Sequence, residues 1–157
     1  MSILVTQTPI GNLAVEIEGE FVTAVYSTPA PVSKAKEPFA REVQAQLQAW
    51  FSGNLMRLEI PYLYPDATDF QIRVWEQISK IEFGATRTYG DLARKIRSGP
   101  RAVGNACRRN RLLLIVPCHR VVAVTGLGGF MGDIDGSLVR RKEWLLEHER
   151  KHRSCTG

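Results

Sequence analysis

The stretch LLLIVPCHRVV, residues 112–122, closes an apolar run on a thiol, an imidazole and a guanidinium in direct succession. A thiol becomes nucleophilic when a base or a positive field lowers its pKa from about 8.5. His119 is the candidate base for Cys118, Arg120 supplies positive charge, and Glu147 or Glu149 could orient the imidazole from the last predicted helix. Plain packing is the competing reading, since cysteine is among the most buried residue types. A metal centre is disfavoured, because zinc sites pair Cys and His at short spacing. Here Cys118 and His119 are adjacent, His148 and His152 sit late in the chain, and no second cysteine pair exists. GLGGFMG, residues 126–132, is not a dinucleotide fingerprint: Met131 takes the third glycine position and no strand–helix unit frames it. It reads as an adaptable loop, or as a wall that needs close backbone approach.

Those side chains need elements to hold them. In the first half, ILVTQT, LAVEIEG and FVTAVYS are short, rich in β-branched residues and separated by turn signals at Pro9–Gly11 and Gly19–Glu20, which predicts strands. STPAPVSKAKEP is a loop. FAREVQAQLQAWFSG carries Phe39, Val43, Leu47 and Trp50 at helical spacing, with Gly53 as its stop. LMRLEIPY could return as a strand. After residue 64 the period changes. Thr68 and Gln71 make a capping box for DFQIRVWEQISKI, whose Phe70, Val74, Ile78 and Ile81 form one apolar face. Thr88 with Asp91 starts YGDLARKIRS, and Pro100 starts RAVGNACRRN, with Asn110 a candidate left-handed cap. LLLIVP is expected to be a buried strand or extended segment, and LVRRKEWLLEHER a final helix.

A chain of 157 residues is long enough for a core without staples. Three cysteines, Cys107, Cys118 and Cys155, are too few and too odd in number for a disulfide framework, and they suit a reducing cytosol. No apolar run approaches the ~20 residues of a membrane span, and the N-terminus lacks a basic region followed by a hydrophobic one. A cytoplasmic protein with no membrane association is expected. Charge is divided unevenly. Residues 1–64 hold 4 Lys/Arg and 6 Asp/Glu, whereas residues 65–157 hold 17 and 10. The basic half is suited to a polyanion.

Two short helices joined by SGP read as a helix-turn-helix. The second carries Arg101 and Arg108, followed by Arg109 and Arg111, while Ala102, Gly104 and Ala106 keep one side thin. Glycine inside a helix costs about 1 kcal/mol against alanine, so Gly104 needs a reason: close packing on a neighbouring helix, or close approach to a DNA groove.

Taken together, DFQIRVWEQISKIEFG, TYGDLA, RAVGNACRRN, IVPCHRVV and KEWLLEHE resemble, in order and spacing, the O6-alkylguanine-DNA alkyltransferases, also called methylated-DNA–protein-cysteine methyltransferases. The resemblance is good over about residues 66–150 and looser before them. It implies an α/β (α+β) chain of two domains: an RNase-H-like domain over 1–64 and a mostly helical, winged-helix-like DNA-binding domain over 65–157. It implies Cys118 as alkyl acceptor, His119 as its base acting through a water, Glu149 holding that histidine, and Asn110 bracing the turn beside the thiol. Tyr89 would rotate the 3′ phosphate and donate to the departing guanine. Arg101 would fill the hole left by a flipped base, on a DNA-binding face with Ala102, Gly104, Asn105 and Arg108. Phe130, Met131, Gly132 and Val121 would line the base pocket. Many members read Tyr-Ser-Gly where this chain reads Phe130-Met131-Gly132, which removes a serine hydroxyl.

The implied reaction transfers an alkyl group from O6-alkylguanine, and by extension O4-alkylthymine, in double-stranded DNA to Cys118, once per molecule. The base would be flipped from the minor groove by a monomer using neither cofactor nor metal. Two alternatives remain beside it. One is a non-catalytic lesion sensor or thiol-based DNA-binding regulator, although sensors of this kind replace the cysteine that is kept here. The other is a papain-like thiol hydrolase, which would need a downstream Asn and a nucleophile at a helix start. Glu149 is expected to act through His119, so that Glu149→Gln would slow alkylation and leave folding nearly untouched.

Overall fold

Alternating β-branched residues build the first three elements. In a computed structural model, which describes residues 1–64, 66–124 and 137–153 (side chains from 139 onward), β1 (Ser2–Thr8), β2 (Gly11–Glu18) and β3 (Phe21–Ser27) form an antiparallel meander. The first hairpin turns at Gly11, whose φ of 104° is open to glycine and costly for other residues. Leu4, Leu13, Val15, Val22 and Val25 are buried. α1 (Pro38–Phe51) starts on a proline at its first turn and buries Ala40, Val43, Leu47 and Trp50. Gln44 of α1 donates to the buried Thr6 hydroxyl of β1 at 3.4 Å, one of the few polar contacts inside this layer.

The second set of elements is helical. α2 (Asp69–Ser79) and α3 (Tyr89–Ile96) both begin with reciprocal capping boxes, Thr68 with Gln71 and Thr88 with Asp91. α3 ends on Arg97 in the left-handed region, and Pro100 then opens α4 (Pro100–Arg108), completing the expected helix-turn-helix. Val74, Ile78, Leu92, Ile96, Val103 and Leu145 are buried. The Trp75 indole donates to the Ala106 carbonyl at 2.9 Å, fixing α4 on α2. A 3-10 turn, Cys118–Arg120, runs directly into β5 (Val121–Val122), which pairs in parallel with β4 (Arg87–Thr88). α5 (Ser137–Arg153) closes the set.

The chain divides into two compact units, Met1–Pro65 with Arg111–Ile115, and Asp66–Asn110 with Val116–Gly157. The excursion at 111–115 was invisible in the sequence. LLLIVP is buried as expected but is not a strand: Leu112 makes a single bridge to Val25, and Leu114 turns at φ 71°. LMRLEIPY likewise gives no strand, only one bridge between Tyr62 and Val22. Asn110 is not a left-handed cap. α4 ends through right-handed Arg109, and the asparagine is used elsewhere. No helix among the described residues is long and apolar enough to cross a membrane.

Candidate active site

Cys118, His119 and Arg120 leave the chain on one tight turn, so their three side chains depart in different directions. Cys118 opens the three-residue 3-10 turn rather than an α-helix, with its N–H donating to Val116 and the Arg120 N–H to Pro117. All three residues are buried. Asn110, just after α4, donates its amide to the Val116 carbonyl at 2.9 Å and to the Cys118 sulfur at 3.3 Å. One side chain thereby fixes both the turn and the thiol.

Glu149, on α5, is 1% exposed and accepts from three directions. His119 Nε2 lies 2.5 Å from Oε2, Arg120 Nε lies 3.0 Å from each oxygen, and the Gly84 N–H reaches Oε1 at 2.9 Å. Burial alone would push this carboxyl up; the hydrogen bonds and charges of His119 and Arg120 outweigh it and bring the pKa down to about 2. Arg120 is locked further by the Ile81 carbonyl and lies over the Phe83 ring at 5.9 Å. Gly84 sits at φ 84°, and a Cβ there would stand 2.7 Å from the Arg153 side chain, so the backbone donor to Glu149 depends on glycine. The alternative orienter, Glu147, is exposed and paired with Arg150 at 2.8 Å.

Tautomer chemistry follows from these partners. A carboxylate only accepts, so the proton facing Glu149 sits on His119 Nε2. Burial pushes the His119 pKa down, with Glu149 opposing, and the neutral ring then carries its basic lone pair on Nδ1. The Cys118 thiol is pushed well above its ordinary value, first by a hydrogen bond with the Cys107 thiol and then by burial, while Asn110 and Lys142 act the other way. Arg120 was expected to supply positive charge to the thiol. It is committed to Glu149, and the cation that lowers the Cys118 pKa is Lys142.

Tyr89 stands half-buried at the start of α3, and burial holds its phenol up at about 12, so it remains a donor. On α4, Arg101, Asn105 and Arg108 are exposed at i, i+4 and i+7, one helical face, while Val103, Ala106 and Cys107 point inward. Ala102 and Gly104 are half-exposed beside that face. A Cβ on Gly104 would meet only the Tyr89 ring, at 4.0 Å, which is ordinary contact. Internal packing therefore does not require the glycine. Val121 is buried on β5, and Phe130, Met131 and Gly132 lie outside the described residues. No group of three or more His, Cys, Asp or Glu among the described residues is placed to hold a metal.

The family profile described as "6-O-methylguanine DNA methyltransferase, DNA binding domain" matches residues 69–151, which hold Tyr89, Arg101, Asn110, Cys118, His119, Lys142 and Glu149. The chain belongs to this methyltransferase family. An Archaeoglobus fulgidus methylated-DNA–protein-cysteine methyltransferase is 39% identical over 132 residues, covering 82% of this chain and 86% of that protein. Among solved structures, the Mycobacterium tuberculosis O6-methylguanine methyltransferase superposes with a TM-score of 0.82 at 31% identity, covering 96% of this chain and 93% of that one. The same organism's protein solved in complex with DNA gives 0.81 at 34% identity, over 94% and 92%. The 6-O-methylguanine DNA methyltransferase family thus accounts for both the α/β architecture and the order of the motifs.

Sequence reasoning named Cys118, His119, Glu149 and Asn110, which the structure brings together, and Tyr89, which it places at the start of α3. It missed Gly84 and Lys142, and it gave Arg120 the wrong partner. Gly84 had a visible signal, an isolated glycine after a helix, whereas Lys142 looked like one more surface cation on an amphipathic helix.

The geometry overturns the expectation that Glu149→Gln would leave folding nearly untouched. A buried guanidinium stripped of its charge partner costs about 3–5 kcal/mol, and this is the stability loss expected from chemical denaturation of Glu149→Gln. The pH dependence has a fixed sign. Because the folded-state pKa of about 2 lies below the ordinary 4.5, the carboxylate's contribution is complete above about pH 4.5 and is lost as pH falls toward 2. Glu149→Gln should remove that acid-sensitive component from a stability–pH curve.

Proposed function

We propose that this protein repairs DNA by moving the alkyl group of O6-alkylguanine, and on the same chemistry O4-alkylthymine, onto its own Cys118. The observation that carries the reading is the buried Cys118 thiol held by Asn110 beside a His119–Glu149 pair, within the segment that matches the family. The alkyl carbon is a hindered, weak electrophile, so it needs an in-line thiolate and a stabilised leaving group. The thiol proton passes, through a water, to His119 Nδ1. Sulfur then bonds to the alkyl carbon as the carbon–O6 bond breaks, and the electron pair goes to the guanine, which takes a proton from Tyr89. The resulting thioether has no ready leaving path, so each molecule reacts once and no cofactor takes part.

The target atom is unreachable inside stacked duplex, and the base must be flipped at a cost of a few kcal/mol. The exposed Arg101–Asn105–Arg108 face, thinned by Ala102 and Gly104, suits a monomer entering the minor groove of double-stranded DNA, with Arg101 replacing the extruded base. Val121, Phe130, Met131 and Gly132 form the base pocket in this reading. The domain limits 1–64 and 65–157 stand as part of it. The three-stranded meander with α1 supports an RNase-H-like first domain, and α2–α4 with β4–β5 support a winged-helix-like second one.

Intact-mass analysis after incubation with duplex O6-methylguanine tests the reading. One methyl should be added per protein and map to Cys118. Sustained turnover, or full transfer by Cys118→Ala, would sink it. Arg101→Ala should slow reaction with duplex substrate sharply while sparing free O6-benzylguanine, which needs no flipping. A defect that disappears at saturating protein would make Arg101 an ordinary phosphate contact. Gly104→Ala separates the two reasons for that glycine. It should stabilise the fold by up to about 1 kcal/mol yet weaken reaction with duplex DNA; unchanged duplex reaction would show that the groove does not come close there.

A further inference from the structure

Among the described residues three non-glycine residues sit on left-handed backbone: Asp66 at φ 57°, Arg97 at φ 57° and Leu114 at φ 71°. Aspartate tolerates that region, because its short polar side chain can bond locally. Leu114 is buried, so packing offsets its conformation. Arg97 has neither reason. It is exposed, and among the described residues its side chain has no hydrogen bond or ion pair. It holds the position closing α3 where glycine is the usual left-handed residue. Gly99, two residues on, shows the reverse: its φ of −104° suits any residue, and nothing lies within 4 Å of where a Cβ would stand. The strained position carries a long cation, and the relaxed one carries no side chain.

We propose that Arg97 grips a backbone phosphate of double-stranded DNA from the turn that leads into α4. The proposal rests on the reading of α4 as the DNA-binding face. Three further observations support it. The turn is rigid: the Arg97 N–H is taken by the Ala93 and Arg94 carbonyls, the Ser98 N–H donates to Ala93 at 2.8 Å, and the Ile96 carbonyl accepts from the Arg73 guanidinium at 2.9 Å. The backbone that carries the cation is therefore set before any partner arrives, and little of its freedom is lost on binding. Charge here is of one sign. No Asp or Glu occurs from Leu92 to Gly132, and Lys95, Arg97 and Arg101 are exposed, while Arg94 pairs with Asp91. Such a stretch suits a polyanion. Position is the third. Arg97 lies four residues before Arg101, a span of at most about 14 Å, and a minor groove is about 6 Å wide. With Arg101 in the groove, Arg97 stands at its phosphate wall, and the bare backbone of Gly99 leaves that wall room to approach.

Folding and binding pull in opposite directions at this residue. In the free protein the arginine holds a strained backbone and gains no internal contact, so Arg97→Gly relieves the fold. On DNA the same substitution removes one phosphate contact and the counterion release that goes with it. A residue kept for the fold alone would show the opposite sign in the first measurement and no effect in the second.

The test takes both measurements on the same proteins: thermal unfolding without DNA, and binding of an undamaged duplex oligonucleotide by fluorescence anisotropy between about 50 and 200 mM salt. Arg97→Gly should raise Tm by about 2–4 °C. It should also weaken duplex binding by about threefold or more and make the slope of log K against log salt less negative by about 1. Arg97→Lys, which keeps the charge on the same backbone, should keep the slope and gain nothing in Tm. Should Arg97→Gly fail to fold, Arg97→Asn also tolerates left-handed backbone and should show the same loss of slope. Affinity and slope equal to the parent's in Arg97→Gly would overturn the proposal. So would a slope lost equally in Arg97→Lys, which marks a change of conformation rather than of charge, or a fall in Tm for Arg97→Gly, which marks a structural arginine. No alkyl transfer enters the measurement. A parent protein that does not bind duplex would defeat the DNA-binding reading itself, whereas a parent that binds and variants that match it would defeat only the assignment of Arg97.

Discussion

One buried carboxylate organises the site. Glu149 is out of water, ionised, and surrounded by an imidazole N–H, a guanidinium and a backbone amide. The donors come from two stretches of chain and the acceptor from a third: the 3-10 turn supplies His119 and Arg120, the segment after α2 supplies Gly84, and α5 supplies the carboxylate itself. Breaking a charge out of such a cage is expensive, since its partners stay buried. The same contacts that orient the histidine therefore also lock the turn against the last helix. This explains why Arg120 turns away from the thiol that precedes it by two residues. A guanidinium fork matches a carboxylate bidentately, and a lone thiolate offers no comparable geometry.

How far the sequence revealed this depends on the kind of signal. Thr68 with Gln71 and Thr88 with Asp91 each act across three residues; the capping box read at the first formed, and the helix start read at the second is a capping box too. The strands of the meander and the helical spacing of Val43, Leu47 and Trp50 were equally local. Failures began where a residue's partner is distant in sequence. LLLIVP has the composition of a strand, yet Leu112 finds only one bridge and Leu114 must turn to bring Val116 back toward Asn110. Asn110 has the local chemistry of a left-handed cap, and its amide is instead drawn to a carbonyl and a sulfur six and eight residues on. Motif resemblance named Cys118, His119, Glu149 and Asn110 together because it carries long-range geometry that periodicity lacks. It did not supply Gly84 or Lys142, whose importance lies in what they touch.

Cys118 presents an apparent contradiction. A nucleophile is expected to have a depressed pKa, whereas the Cys107 thiol and burial push this one up. The nucleophilicity of a thiolate, however, falls as its pKa falls, with a Brønsted coefficient of about 0.4–0.5. A permanently acidic thiol would be ionised but mild, and poorly matched to a hindered alkyl carbon. A thiol of high intrinsic pKa, ionised only while a positioned base and a fixed cation act on it, gives a more reactive anion. Asn110 complements this by donating to sulfur without neutralising it. Burial, which looks like an obstacle to ionisation, keeps other electrophiles away from a group that can react only once in the proposed transfer. The thiol is thus stored in its inert form. In the proposed transfer its activation falls to His119 on the same turn, Asn110 after α4 and Lys142 on α5, so that reactivity depends on the whole unit being folded.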